Sequence, residues 1–435
     1  MADSSFRSVT LGELIDSGVI QVATGFPFGG HNVDGEGVPH IRPFNVGTDG
    51  EIHLDQIKSI PAAAATGKPT LQRDDIVFNN TNTKELVGKC ALWSSDDQHF
   101  FSNHMTRIRV IDKACDPAYL SFAILQHWMA GKSEMLARSH VAQASIIGSR
   151  FREIEIPWPE LTVQRSIGSL IRWLRIASRS ETNQLVHART MKDVVMTQLF
   201  TLGLVGEPQR ESEIGSIPAS WNVDRLGLHH SVVSGGTPSR SNPAFWSEGT
   251  VPWVKTTEVD YCVIKETEEH ITELGLEQSA AKLLRAGTLL MAMYGQGVTR
   301  GRVAILGIDA ACNQACAAIT PKDEVILPRY LYHFLSWRYE AIRSLAHGGQ
   351  QQNLNLEIVR ELPVAYPQNQ EEQVEIIAIL DALDRKIELH DEKRSVFEAL
   401  FRSMLNKLMI GDVSTSDLDF SVLSSDSMQR AEATA

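Results

Sequence analysis

Cysteine is scarce. The 435 residues hold five (Cys90, Cys115, Cys262, Cys312, Cys316), odd in number and mostly far apart, which argues against a secreted disulfide framework and for a reducing compartment. No apolar run approaches the roughly 20 residues needed to span a bilayer. The opening MADSSFRSVTLGELIDSG has neither the basic n-region nor the apolar h-region of a signal peptide. A soluble, cytoplasmic protein without membrane contact is expected. With 17 Pro and 30 Gly the chain is too poor in both for a fibrous or wholly disordered polypeptide. Positive charge is also short: 41 Lys and Arg against 53 Asp and Glu leave a net charge of −12, which lowers the expectation of nucleic-acid binding unless single faces depart from the average. What is present is ordinary globular material, 43% hydrophobic and 22% charged. At about 150 residues per domain the length implies two to four domains.

The chain repeats itself. VPHIRPFNV (Val38 to Val46) lies over VPWVKTTEV (Val251 to Val259) at an offset of 213 residues. The same offset places LQRDDIVFN (Leu71 to Asn79) on LRAGTLLMA (Leu284 to Ala292), and Gly88-Lys89 on Gly301-Arg302. DPAYL (Asp116 to Leu120) then matches LPRYL (Leu327 to Leu331) at 211, and IEIPWP (Ile154 to Pro159) matches LPVAYP (Leu362 to Pro367) at 208. Such drift is what loop-length differences produce. The unit, about 209 residues, is too long for a solenoid repeat, so the chain reads as a tandem duplication of a domain followed by a long helix.

In the second copy Ile376, Leu380, Leu383, Ile387, His390, Arg394, Phe397, Phe401, Met404 and Leu408 alternate spacings of four and three, the seam of a left-handed coiled coil. The register 209 residues earlier runs Ile167, Ile171, Leu174, Ser178, Glu181, Leu185, Ala188, Lys192, Val195 and Leu199, weaker but likewise polar in its middle. Either each helix packs on its own domain, or the two matched seams pack on each other. The second is the expectation, in antiparallel sense, with the facing polar centres paired. At 1.5 Å per residue each helix is roughly 50 Å long, a ruler between two globular ends.

Within each globular part, short runs rich in β-branched and aromatic residues (VPHIRPFNV, DIVFN, KCALW, TRIRVI, REIEIPW) read as strands, and PAYLSFAILQHWMAG as a helix begun by Pro117. The second half repeats the order, with PRYLYHFLSWRYEAIRSLA as its helix. The fold class is therefore α+β: domain 1 over 1–160, a central long helix over 161–205, domain 2 over 206–368, a C-terminal long helix over 369–412, and a Ser- and Asp-rich tail, 413–435, expected to be disordered.

Catalytic motifs are incomplete wherever they begin. GKPT at Gly67 lacks the upstream Gly of a phosphate loop, and GQGVTRG at Gly295 has its third Gly one residue late and joins strand to strand. NPAF (Asn242 to Phe245) is one residue from the loop with which adenine methyltransferases hold a flipped base, but no Gly-rich cofactor strand accompanies it. Cys312 and Cys316 lack the further ligands of a zinc site. No metal site and no catalytic residue is expected. Binding features are better written. No acidic residue lies between Glu277 and Asp309, where Lys282, Arg285, Arg300 and Arg302 occur with Tyr294 and Gln296. The matching stretch, NNTNTKELVGK (Asn79 to Lys89), is rich in Asn, Thr and Lys, which contact base edges and phosphates. One fold position thus carries two different polar loops, either two readers of different sequences or two solvated hairpin loops. The first long helix adds Arg165, Arg172, Arg175, Arg179, Arg189 and Lys192, a face suited to phosphate or a protein partner.

EIGSIPASWNVDRLGL (Glu213 to Leu228), VSGGTPSRSNPAFWSEGTVPWVKTTEV (Val233 to Val259) and HGGQQQNLNLEIVRELPVAYPQNQEEQVEIIAILDALDRKIE (His347 to Glu388) follow in order. This resembles the DNA-specificity subunit of type I restriction-modification systems, to about Val413. The first half keeps the plan in eroded form, with TGFPF (Thr24 to Phe28) for SGGTP and VPHIRP for VPWVK. The resemblance implies two target-recognition domains, each reading one half of a bipartite, asymmetric site in double-stranded DNA, joined by the antiparallel helices. It also implies partners: two modification subunits, which bind S-adenosylmethionine and methylate adenine, and restriction subunits using ATP and Mg, with no cofactor in this chain. The residues expected to contact DNA are Arg42, Asn79, Asn80 and Lys84 in the first domain and Lys255, Tyr294, Gln296, Arg300 and Arg302 in the second. The alternative is a diverged DNA methyltransferase or nuclease, with NPAF as its remnant; a protein-only scaffold built on the coiled coil is a further rival.

Overall fold

The computed structural model describes residues 6–32, 35–139, 141, 143–295, 298–345 and 353–415. The chain divides into two compact units, Met1–Asn183 with His390–Ala435, and Gln184–Leu389. This differs from a division of domain, helix, domain, helix, because each unit takes half of both long helices. The tail expected to be disordered lies outside the described residues from 416 onward.

In the first unit strands β1 (Ile20–Thr24), β4 (Ile76–Asn79), β5 (Cys90–Leu92) and β7 (Met105–Val110) form an antiparallel sheet in the order β1-β7-β4-β5. A smaller sheet sets β3 (Lys58–Ile60) antiparallel and β6 (Phe100–Phe101) parallel to β2 (Val38–Ile41). Helix α1 (Pro117–Met129) starts with Pro at its first turn and with the Asp116 carboxylate accepting from the Tyr119 amide.

The second unit repeats the plan. Strands β8 (His230–Ser234), β15 (Cys316–Pro321), β12 (Leu289–Ala292), β13 (Val303–Leu306) and β10 (Val263–Ile264) form its large sheet in that order. Strand β9 (Val251–Val254) lies between antiparallel β11 (Glu269–Ile271) and parallel β14 (Ala311–Cys312). Helix α3 (Pro328–Trp337) corresponds to α1. Its expected continuation to Ala346 instead breaks at Arg338, whose guanidinium donates to the Ile214 carbonyl, and a short helix, Tyr339–Ser344, follows.

The duplication holds at the level of single hydrogen bonds. Gly88 and Gly301 both take positive φ, 88° and 89°, at the foot of the hairpin loop. Around them Asn79 exchanges backbone bonds with Gly88 and Lys89, and Ala292 does the same with Gly301 and Arg302, all at 2.8–2.9 Å. Glycine is the residue that takes this backbone conformation at least cost. The Gln at the start of each long helix is buried and serves one purpose twice. Gln164 accepts from the Asp116 amide and donates to the Pro159 carbonyl, while Gln373 accepts from the Leu327 amide and donates to the Pro367 carbonyl. Each ties the long helix to the domain helix beneath it.

The long helices are α2 (Leu161–Leu202) and α4 (Gln370–Met409), a few residues shorter at their C-terminal ends than the expected segments. They pack antiparallel. In the first unit the Trp173 and Phe397 rings lie 6.1 Å apart, and Glu181 bonds His390 at 2.6 Å. In the second, Lys192 pairs with Asp384 at 2.5 Å. Of the seam, Ile167, Ile171, Leu174, Leu185, Leu199, Ile376, Leu380, Leu383, Phe401 and Leu408 are buried, while Val195, Ile387, Phe397 and Met404 are half-buried. Met196, Phe200, Leu405 and Met409, off the seam, are buried as well, because the helix ends are also covered by the globular part of their own unit. Phe200 meets Tyr330 and Phe334 edge-on at 5.7 and 5.4 Å.

Candidate nucleic-acid interface

The loop between β4 and β5, the turn after β2 and the segment after β1 line a groove of about 940 Å³ in the first unit. Phe28, His31, Arg42, Phe44, Lys89 and His104 are among its lining residues. Among the described residues no carboxylate lines it. Arg42 heads a 3-10 turn (Pro43–Asn45), where the Asn45 side chain accepts the Arg42 amide at 3.0 Å. Its guanidinium lies 4.3 Å from the Phe44 ring centroid, a cation–π contact, and among the described residues no carboxylate pairs with it. Lys89, missed as a contact by sequence reasoning, forms part of this groove. The side chain is 5% exposed, and burial holds its ammonium below the ordinary lysine range. His31 bonds His40 at 3.0 Å, and burial together with Arg42 and Lys58 keeps the His31 ring below the usual histidine range.

Two expected contacts are corrected here. Asn79 is 0% exposed and donates to the Pro43 carbonyl, and Asn80, 3% exposed, donates to Thr106 Oγ1 at 3.0 Å and to the Asn103 carbonyl. Both close the fold around the hairpin, so neither presents an amide to a base edge. Asn80→Ala is expected to lower stability by about 1–3 kcal/mol through the unsatisfied groups it leaves, with no change in the DNA sequence preferred. Urea unfolding beside a binding assay checks both halves of that statement. Lys84 is solvent-facing but ion-paired to Glu134 at 2.8 Å.

In the second unit the same turn follows β9. Lys255 stands where Arg42 does, and its amide is accepted by the Glu258 side chain at 2.7 Å. Here the cation is engaged: Lys255 pairs with Glu268 and, at 3.6 Å, with Glu269. Arg302, the counterpart of Lys89, pairs with Asp260 and lies over the Tyr261 ring. Tyr294 is exposed on the loop. Arg300, at the foot of the loop, is buried. Gln296 lies outside the described residues. Of the helix cations, Arg175 and Lys192 are also buried, Arg175 against Glu51 and the Phe401 ring and Lys192 against Asp384, whereas Arg172 and Arg179 line a shallow groove with Arg73.

NPAF forms a 3-10 turn in which the Asn242 side chain caps the Ala244 amide. Cys312 and Cys316 are buried free thiols at adjoining strand ends. His333, Asp381 and Asp384 gather donor atoms within metal-ligand range of one another, but Lys192 and Arg329 already neutralise the two carboxylates.

Comparison with known proteins supplies the context. Residues 218–399 match the type I restriction modification DNA specificity domain. The type I restriction enzyme MjaIX specificity subunit of Methanocaldococcus jannaschii is 28% identical over 196 residues, 44% of each chain. The putative MjaX specificity subunit of the same organism is 22% identical over 343 residues, 78% of each chain. The EcoR124I/EcoR124II specificity subunit of Escherichia coli is 22% identical over 67% of this chain and 72% of its own. The crystal structure of the type I system S subunit from M. genitalium shares the fold, with a TM-score of 0.66 at 15% identity over 94% of this chain and 97% of that one. With the specificity domain in its second half, the same strand order and hairpin in its first, and two long helices packed antiparallel, the chain is similar to type I restriction-modification DNA specificity subunits.

Proposed function

We propose that this chain reads a bipartite, asymmetric site in double-stranded DNA and directs partner subunits to methylate or cut there. The observation that carries the reading is the pairing of a shared frame with differing loops. The turn at Arg42 and Lys255 and the hairpin at Gly88 and Gly301 share their backbone bonds residue for residue. The side chains they present differ: Arg, Phe and Lys in one domain, Lys, Thr and Arg in the other. Duplicated frames that kept one ligand would keep one set of polar side chains; two half-sites of different sequence require two sets.

In this reading the chain itself carries no catalytic step. Adenine methylation, with S-adenosylmethionine, belongs to two modification subunits, and cleavage, with ATP and Mg, to restriction subunits. The exposed apolar side chains of the long helices, among them Met191 and Val194 on α2 and Val396 and Leu400 on α4, suit protein partners rather than DNA. The test is genome-wide mapping of N6-methyladenine in the native host with and without an in-frame deletion of the gene. Loss of one split motif, with an adenine modified in each half, is expected. Survival of every methylated motif would overturn the reading.

A further inference from the structure

Given that reading, we propose that phosphate anchoring is concentrated in the first domain, at an anion site made by Lys89 and Arg42, and that the second domain contributes little to it. The two domains hold cations at the same stations of the same frame, Arg42 with Lys255 and Lys89 with Arg302, so their surroundings compare directly.

In the first domain neither cation has a carboxylate partner among the described residues. Lys89 lies on the groove with its stem buried and, among the described residues, no hydrogen-bond or ion-pair partner at its ammonium; Asp49, hydrogen-bonded to His53 at 3.3 Å, acts on it only from a distance. Arg42 is backed by the Phe44 ring, and its Nε is buried without a partner. A buried, uncompensated cation costs free energy unless an anion joins it. The groove between the two cations is lined by Phe28 and Phe44, flat faces that suit sugar and base edges, and by Asn103 and His104. Backbone phosphates of DNA are the anions that would satisfy the two cations lining this groove.

In the second domain the same stations are already neutralised. Glu268 and Glu269 hold Lys255, and Asp260 holds Arg302. A phosphate arriving there must displace a carboxylate and approach others, so each new ion pair replaces an existing one and the net attraction is small. That domain is left to discriminate through Tyr294 and the rest of its loop, with little counterion release.

The experiment uses the specificity subunit in complex with its modification subunits, purified from the native host. Binding to a duplex containing the mapped motif, and to a scrambled duplex of equal length, is measured from low to physiological salt. Each phosphate contact contributes about 0.9 to the slope of log K against log salt. Arg42→Gln and Lys89→Met, which keep the buried stems, are each expected to reduce that slope by about 1 and to weaken binding to both duplexes alike. Lys255→Met and Arg302→Gln should leave the slope within about 0.3 of the parent value, a third of one contact. Thermal unfolding of each variant separates loss of binding from loss of fold, and a stable Lys89→Met or Arg42→Gln complex with an unchanged slope overturns the anchor. So do equal slope losses in both domains. A parent complex that binds the two duplexes equally at all salts would instead remove the specificity reading itself.

Discussion

Asp384→Ala is expected to cost about 3–5 kcal/mol of the second unit's stability, as the loss of one member of a buried ion cluster does. Asp384 receives Lys192 from α2 at 2.5 Å and Arg329 from α3 at 3.5 Å, beside His333, which is 0% exposed and bonded to Asp381 at 2.8 Å. Removing the carboxylate strands the Lys192 ammonium in a low-dielectric site, while Arg329 keeps its bond to Asp381 at 2.7 Å. Urea unfolding followed by the fluorescence of Trp221 and Trp337, both in this unit, gives the size of the loss. The double variant Lys192→Met with Asp384→Leu should recover most of it, because no charge is then left without a partner. A single-variant loss below about 1 kcal/mol would show that the cluster is effectively solvated.

The same cluster explains why α2 pairs with α4 and not with a copy of itself. Residues 209 apart occupy equivalent helix positions on or beside the seam, so Glu181 corresponds to His390, Arg175 to Asp384 and Lys192 to Phe401. The observed bonds join unlike members: Glu181 with His390, Lys192 with Asp384, Arg175 over the Phe401 ring at 4.6 Å. A pairing of α2 with α2 would set Glu181 against Glu181 and Lys192 against Arg175. A pairing of α4 with α4 would set Asp384 against Phe401. Polar seam residues that penalise the wrong partner are a known route to pairing specificity in helix pairs. Intramolecular packing is therefore written into the seam residues, not only enforced by the chain connection.

That much of the fold was legible because it is periodic. The 213-residue offset survives as a shared hairpin geometry at Gly88 and Gly301, and the spacing of four and three survives as the buried stripe of α2 and α4. The site was less legible, since a polar side chain in a loop carries no mark of whether the fold or a ligand uses it. Asn79 and Asn80 look like readers and are struts, because their partners Pro43 and Thr106 lie 36 and 26 residues away. Lys255 looks free until β11 brings Glu269 beside it, and Arg302 until the segment before β10 brings Asp260. Lys89 reads in the sequence only as half of a Gly-Lys pair repeated as Gly-Arg; that it lies unpaired on a groove depends on what the tertiary fold does not place there. The one available signal was its match to Arg302, a cation kept at one station in both copies.

Acid is expected to destabilise both units between pH 6.5 and 4, through histidines the fold keeps neutral. His127, on α1 of the first unit, and His230, at the start of β8 in the second, are 5% and 1% exposed, and burial lowers each from 6.5 to about 4. Lys132 adds to the lowering at His127, and His229 and Lys322 add to it at His230 against the opposing pull of Asp323. The folded pKa lies below the unfolded one, so above pH 6.5 neither state binds the proton and these groups leave stability unaffected. As pH falls below 6.5 the unfolded chain takes up protons that the native fold refuses, and stability is lost until the native rings also protonate near 4. A drop of that size corresponds to roughly 3 kcal/mol per histidine once the window is crossed. His40, also lowered to about 4, acts in the same direction in the first unit, and His333, lowered by burial, does so in the second. Urea midpoints measured from pH 7.5 to 4 should fall accordingly, and His127→Leu should flatten the first unit's part of the fall. A midpoint that held constant from 6.5 to 4.5 would mean that the buried rings are reached by water and titrate as they do in the unfolded chain.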